Sequence, residues 1–193
     1  MAFNRTTAAI IDNVLLIAVS GAAIGAAVIA PNVIQALDKP LQKYLDGFDK
    51  RGQKREWQRI VAHMKRQGLI SIPTEDYEHG VRITSRGRAR AEKARIEGLS
   101  IKKPRKWDKK WRFVLFDIPE TRKVSRDTLT EKLRSLGFRQ LQRSVWLHPY
   151  PCREEIEALT YAYNLSKYVT YLESDYIDNA SKLRERFPRS TLR

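Results

Sequence analysis

Apolar residues recur at three- and four-residue steps between Arg51 and Leu69, which predicts one amphipathic helix with a single buried face. Basic and amide side chains occupy its other face, and Gly68 is a typical residue for the end of a helix. The polar face of this helix is therefore strongly cationic. The apolar positions of this helix are Trp57, Ile60, Val61, Met64 and Leu69.

Two short apolar runs follow, Leu69 to Pro73 and Val81 to Thr84, and a polar turn at 74–80 separates them. They predict a small β-hairpin, after which Ser85 opens a further helix rich in Arg and Lys. This order of elements resembles winged helix-turn-helix DNA-binding domains, in which a "K-x-G-L-I" helix end precedes the wing and a "T-x-x-G-x-x" segment follows it. The chain departs from a basic wing, because its turn carries Glu75, Asp76 and Glu78.

The second half of the chain alternates strand-like and helix-like segments. Trp111 to Ile118 is rich in aromatic and branched residues and predicts a strand. Arg122 to Leu136 predicts a helix that stops at Gly137 and turns inward Val124, Leu129, Leu133 and Leu136. The remaining elements are strands at Phe138 to Leu141 and Ser144 to His148, a helix at Arg153 to Tyr163 and a strand at Lys167 to Leu172. The order βαββαβ predicts a ferredoxin-like fold, so the fold class is α+β with a winged helix-turn-helix in front.

An uncharged run of 17 residues at 14–30 lies close to the lower limit for crossing a bilayer. Arg5 is the only basic residue before the run, which disfavours a secretory signal because such signals start with a cationic segment. A buried arrangement is favoured, in which Thr7 to Val19 forms one apolar helix and a second helix starts at Ala22 after a turn. We therefore expect a cytoplasmic protein. Membrane insertion is the alternative, and it would place the rest of the chain on the cytoplasmic side.

The chain has 193 residues and a formal net charge of +15 at pH 7, and the excess lies mainly in the first half. Residues 1–110 contain 22 Lys and Arg against 11 Asp and Glu, whereas residues 111–193 contain 15 against 11. This asymmetry indicates a polyanionic partner, either nucleic acid or an acidic membrane surface. The single cysteine, Cys152, excludes an intrachain disulfide and a thiolate metal cluster.

These features divide the chain into four segments. A winged-helix DNA-binding domain with apolar N-terminal helices spans 1–98, and a basic linker spans 99–110. A ferredoxin-like dimerisation domain spans 111–174, and a basic C-terminal tail spans 175–193. We expect double-stranded DNA to be the partner of the first domain.

In a winged helix, the recognition helix enters the major groove and its long donors reach base edges and phosphates. The polar face of the helix at 51–69 is the candidate for this role, and basic residues near the wing would contact phosphates and position the domain. The predicted base contacts are Lys54, Arg55, Gln58 and Arg59. The predicted phosphate contacts are Arg82, Arg86 and Arg88.

The run WRFVLFDIPE at 111–120, with LGFRQLQRSVWLHPYP at 136–151, resembles the central domain of the PaaX-like regulators, the phenylacetic-acid-degradation repressor family. That domain is in turn similar to the small CRISPR adaptation subunit. The resemblance covers about residues 107–174, or about 45–174 with the winged helix. The resemblance implies a sequence-specific transcriptional regulator that acts as a repressor. It also implies a homodimer that binds a two-fold related DNA site. The family's acyl-coenzyme A response is not carried over, because too few residues follow 174, so the small-molecule effector is unknown.

The same resemblance places Asp117 at the end of the first strand, where the CRISPR subunit has an aspartate that can bind a divalent metal. A metal-dependent nuclease is therefore the alternative function, with magnesium at Asp117. One carboxylate per chain is a poor ligand set for a hard cation, so we favour a bracing role for Asp117 in the turn. His63, His79 and His148 lack zinc-binding spacing, and no phosphate-binding glycine loop is present. We expect neither catalysis nor a cofactor.

Overall fold

The computed structural model describes residues 5–20, 39–72, 81–188 and 192. The chain divides into two compact units, Met1–Glu97 and Gly98–Arg193. Both contain helices and antiparallel strands, so the predicted α+β class is confirmed. Within the described ranges, no helix is long and apolar enough to cross a membrane. The predicted second helix from Ala22 and the tip of the predicted wing lie outside these ranges.

The first unit contains four helices and a two-stranded sheet in its described part. The helices are α1 (Arg5–Val19), α2 (Lys39–Asp46), α3 (Lys50–Arg66) and α4 (Ser85–Glu97). The strands β1 (Ile70–Ser71) and β2 (Arg82–Ile83) pair antiparallel, with Ile70 opposite Ile83. The hairpin and the flanking helices predicted from the sequence are therefore present, in the order that the winged-helix comparison requires.

Local chemistry fixes both ends of α3. Asp49 caps the N-terminus, because its carboxylate accepts a 2.8 Å hydrogen bond from the backbone N–H of Gly52. Gly68 follows the C-terminus with a φ of 65°, a left-handed conformation that favours glycine. The predicted helix is confirmed, and it ends at Arg66. Its buried residues are those that the periodicity indicated, Trp57, Ile60, Val61 and Met64.

The core of the first unit forms where α1 and α3 bury their apolar faces. The helix predicted at Thr7 to Val19 is confirmed as α1. Leu45 of α2, Ala91 of α4 and the pair Leu69 and Ile70 join the same cluster. The cluster also contains, from α1, Ile10, Ile11, Val14 and Leu15.

Gly87 allows α4 to approach the end of α3 closely. A Cβ atom at this position would lie 2.1 Å from the carbonyl oxygen of Leu69, which no side chain could tolerate without a backbone shift. Thr84 holds the same junction, since its hydroxyl accepts a hydrogen bond from the Gly87 N–H at 3.1 Å and donates one to the Gly68 oxygen at 2.6 Å. The Thr84-x-x-Gly87 pattern is thus a structural clamp between the hairpin and α4.

The second unit contains a four-stranded antiparallel sheet in the order β4-β5-β3-β6, so the ferredoxin-like βαββαβ fold is confirmed. Short 3₁₀ segments at Glu120–Arg122 and Ser166–Tyr168 precede α5 and β6. The strands are β3 (Trp111–Phe116), β4 (Arg139–Gln142), β5 (Val145–His148) and β6 (Val169–Ser174). The helices are α5 (Lys123–Ser135), α6 (Arg153–Ala162) and α7 (Ala180–Arg184).

One inward position predicted for α5 is wrong. Val124 is 80% exposed, whereas Leu129 and Leu133 are fully buried. At about 100° per residue, Val124 lies about 140° around the helix axis from Leu129 and about 180° from Leu133. It therefore faces solvent, and only the later turns of α5 pack inward.

Residues from the segments before β3 and after β6 complete the core on one face of the sheet. Trp107 precedes β3, and Leu183 and Phe187 follow β6; all three are buried in one cluster with Trp111 and Phe113. The rings of Trp107 and Trp111 meet edge to face at a centroid distance of 4.9 Å, and Phe187 lies 5.7 Å from Trp111. The segments at 99–110 and 175–193, although rich in basic residues, each contribute core side chains to this unit.

Arg112 is the buried charge of the sheet, with a side chain only 3% exposed. Its Nη1 donates to Asp108 Oδ1 at 2.7 Å and to the Pro149 oxygen at 2.8 Å, and its Nη2 donates to Asp108 Oδ2. Its Nε lies 3.6 Å from Glu173 Oε1, within ion-pair range but beyond a hydrogen bond. Hydrogen bonds from Arg112 lower the pKa of Asp108. Arg112 therefore links Asp108, which precedes β3, to Pro149, which follows β5.

Candidate nucleic-acid interface

The exposed face of α3 carries most of the predicted base-contacting residues. Lys54, Arg55 and Gln58 are exposed, while Trp57 and Val61 on the other side of the helix are buried. A helix anchored through its apolar side presents such long side chains directly to solvent. The structure thus brings these three predicted residues together on one open, cationic surface, which we call the α3 face. It comprises Lys54, Arg55 and Gln58.

Arg59 has a different environment from its predicted partners. Its Nη2 and Nε donate to the two carboxylate oxygens of Glu56, at 2.6 and 2.8 Å, and Nη2 also donates to the Thr7 hydroxyl at 3.3 Å. The hydroxyl of Tyr44 donates to the same carboxylate at 3.2 Å. The network joins α1, α2 and α3, so Arg59 braces the first unit. The sequence signal was available in the i, i+3 spacing of Glu56 and Arg59.

The pKa shifts in this network favour the charged forms of Glu56 and Arg59. The hydrogen bonds from Arg59 lower the pKa of the Glu56 carboxyl, and that carboxylate raises the pKa of Arg59. Burial, together with Glu56, raises the pKa of the Tyr44 hydroxyl. At neutral pH the pair is therefore fully charged, and both oxygens of Glu56 are already engaged.

The predicted phosphate contacts lie on β2 and in the first turn of α4. Arg82, Arg86 and Arg88 are all exposed. Arg90, one turn further along, differs because its Nε lies 2.7 Å from Asp12 of α1. The first turn of α4 contains no acidic residue, so its arginines oppose the positive end of the helix dipole. A bound phosphate would offset the repulsion between these arginines and the positive end of the helix dipole.

Asp117 lies exposed just after β3, where its backbone N–H donates to the Tyr168 oxygen at 3.0 Å. Two open clefts of about 420 and 500 Å³ flank it, and Ser144 lines both. Glu120 on the wall of the first cleft is paired with Arg126 at 2.8 Å. Among the described residues, no three His, Cys, Asp or Glu side chains are grouped as a metal site would require. This donor set does not suit a magnesium ion.

Of the remaining candidate chemical groups, Cys152 and His148 are buried and His63 is partly buried. Burial raises the pKa of the Cys152 thiol to about 12, so no thiolate forms near neutral pH. Burial lowers the pKa of His148 to about 4, which keeps its ring neutral. Burial and the neighbouring Arg66, Arg90 and Arg59 lower the pKa of His63. None of these groups adds to the cationic surface of the first unit at pH 7.

Comparison with known proteins identifies the second unit. Residues 104–185 match the family model described as the PaaX protein central Cas2-like domain. The match contains all four strands of the sheet and the helices α5 to α7. No curated protein matches the chain. As the sequence resemblance predicted, residues 104–185 of the chain match the central Cas2-like domain of the PaaX family.

Proposed function

We propose that this protein is a PaaX-like transcriptional regulator that binds double-stranded DNA through its first unit. The observation that carries the proposal is the α3 face, where exposed Lys54, Arg55 and Gln58 stand opposite a fully buried apolar side. Such a helix is held rigidly by its core and leaves its donors available for a nucleic acid. A protein that acts in this way on chromosomal DNA would work in the cytoplasm.

In this proposal α3 is the recognition helix of a winged helix-turn-helix domain. Lys54 and Arg55 would donate to guanine edges or phosphates, and the amide of Gln58 would pair with adenine. These residues lie in the N-terminal half of the helix, which is the half that reaches base edges in such domains. Arg59 takes a supporting role, because its ion pair with Glu56 fixes the orientation of α3.

The second proposed surface consists of Arg82, Arg86 and Arg88. Their exposure suits contacts with the sugar-phosphate backbone, which position a domain without reading sequence. Since these contacts release counterions from DNA, binding should weaken steeply with salt. Each phosphate contact that is lost should reduce the slope of log affinity against log salt by about 0.9.

We also propose that the second unit forms a homodimer, so that two copies of α3 meet a two-fold related DNA site. Trp107, Leu183 and Phe187 occupy one part of the open sheet face. Leu115, Val145 and Leu172 belong to the same face and are only partly covered. They offer an apolar surface to a second copy. Occupation of a promoter by such a dimer would repress transcription by exclusion.

The test is fluorescence-polarisation binding to the DNA upstream of the protein's own gene and to a scrambled duplex of equal length. We expect the native duplex to bind at least about tenfold more tightly, a difference of about 1.4 kcal/mol. The variant Lys54→Ala/Arg55→Ala/Gln58→Ala should lose this preference. Equal binding of both duplexes by the native protein, with no change in the variant, would show that α3 does not recognise the DNA sequence.

A further inference from the structure

A cleft of about 340 Å³ opens in the second unit at the C-terminal end of α5. Its walls come from residues 99–103, from the turn at 135–137, from β4 and β5, and from Phe187 and Pro188. It is separate from the α3 face and from Asp117, neither of which contributes to its lining. Its volume falls at the lower end of the range for small-molecule sites.

A buried histidine supplies a directed donor on the wall of this cleft. His148 is only 6% exposed, and the rings of Phe138 and Tyr150 pack against it at centroid distances of 4.9 and 5.5 Å. The backbone N–H of Tyr150 donates to Nδ1 at 3.1 Å. Nδ1 also lies 3.3 Å from the Tyr150 oxygen, but the shorter contact is with the N–H, which can only donate. We therefore assign Nδ1 as the acceptor and place the proton of the neutral ring on Nε2.

The Nε2–H of His148 has no hydrogen-bond acceptor within the part of the chain that the structure describes. It faces Gly137, where a Cβ atom would lie 3.7 Å from Nε2. Gly137 has a φ of 92° and itself lines the cleft, so no side chain intervenes there. Among the described residues, the enclosed side-chain nitrogens without a partner are Arg112 Nε and Trp146 Nε1, so Nε2 of His148 is not sealed in the core. Its N–H is open to the cleft, where a ligand or water can accept from it.

The charges around the cleft are of one sign. Lys103 and Arg139 are its two charged lining residues, and no carboxylate is among the residues that line it. The Nε of Arg139 donates to the Arg186 oxygen at 3.0 Å, which holds the guanidinium beside the ring of Phe187. Burial is the main cause of the lowered pKa of His148, and the positive charges of Arg112 and Lys103 lower it further. The apolar part of the wall consists of Leu99, Ile101, Leu136, Tyr150 and Phe187.

We propose that this cleft binds a small organic anion, a carboxylate or phosphate monoester with a compact apolar body. The anionic head accepts a hydrogen bond from Nε2–H of His148 and lies in the field of Lys103 and Arg139. The apolar body packs on Leu136 and Phe187. The proposal does not depend on DNA binding by the first unit.

The experiment is an NMR titration of the full-length protein, observed at the ring of His148 and the amide of Gly137. The probes are cyclohexanecarboxylate, cyclohexyl phosphate and the neutral cyclohexanol. We expect saturable shifts of both resonances with at least one anion and none with cyclohexanol. The stronger anion then distinguishes a carboxylate site from a phosphate site. Shifts of equal size with cyclohexanol, or no saturable shift with either anion, would overturn the proposal.

Three variants and a matched control sharpen the result. Lys103→Ala should weaken binding of the anion about fivefold, the scale of one exposed charge contact, while Lys106→Ala, an exposed neighbour outside the cleft, should leave it unchanged. His148→Phe keeps an aromatic ring but removes the donor, and it should abolish the shift at Gly137. Because that variant could unfold, Ser100→Trp, which fills the cleft from an exposed position, provides a second block. Retained affinity in both Lys103→Ala and Ser100→Trp would contradict the assignment.

Discussion

Selected basic side chains of the two units lie in contrasting environments. In the second unit, Arg112 is buried in an ion pair, and the guanidinium groups of Arg134 and Arg184 lie over the rings of Trp146 and Trp107 at 5.3 and 5.5 Å. In the first unit, Lys54 and Arg55 stand exposed on a helix whose other side is core. Net charge alone does not separate these cases. The environment of each cation decides whether it stabilises the fold or is available to a partner.

The largest loss of stability is expected from a substitution at Arg112. Arg112→Met should destabilise the second unit by about 3 kcal/mol, because it removes the hydrogen bonds to Asp108 and to the Pro149 oxygen. Chemical denaturation followed by tryptophan fluorescence measures this loss, since Trp107, Trp111 and Trp146 all report on the second unit. Arg153→Met is the matched control, as its ion pair with Glu157 is largely exposed. Equal stability of the two variants would show that Arg112 is not a structural charge.

A smaller loss is expected in the first unit from Gly87→Ala. The added methyl group would meet the carbonyl oxygen of Leu69, and the backbone shift that this requires should cost about 2 kcal/mol. Circular dichroism during urea denaturation measures the change. Ser85→Ala at the exposed start of the same helix should change stability far less. A neutral Gly87→Ala variant would mean that α4 does not approach the end of α3 as described.

A weaker, pH-dependent effect should appear at Asp108. Because Arg112 lowers the pKa of this carboxyl in the folded protein, the pair stabilises the fold above the unfolded pKa of aspartate. The stabilisation should fall away as the pH drops through the folded pKa. Asp108→Asn should therefore flatten the dependence of stability on pH in the acidic range, as measured by thermal unfolding at a series of pH values. An unchanged acidic slope would argue against a charged pair.

Periodicity and turn chemistry were sufficient to predict most of the fold. The apolar face of α3, the stop at Gly68 and the βαββαβ order each follow from local patterns that the tertiary structure does not override. Val124 was misplaced because it lies five residues before Leu129, outside the three- and four-residue steps that define one face of a helix. The core roles of Trp107 and Phe187 were missed because they lie in segments dominated by basic residues.

The candidate sites were less accessible to sequence reasoning. The exposure of Lys54, Arg55 and Gln58 followed from the helical period, but the engagement of Arg59 required knowing that Glu56 and Thr7 converge on it. The cleft beside His148 could not be predicted at all. It is assembled from four segments distant in sequence, and a lone histidine in a strand has no pattern that indicates a ligand.

The most direct test of DNA binding through α3 compares two double variants that remove the same charge from different places. Lys54→Ala/Arg55→Ala removes both cations of the α3 face, and Lys123→Ala/Lys182→Ala removes two exposed lysines from the second unit. Fluorescence polarisation against the upstream duplex over a salt series should show at least about tenfold weaker binding and a shallower salt slope for the first variant alone. Equal loss of affinity in both variants would contradict the account, because binding would then depend only on net charge.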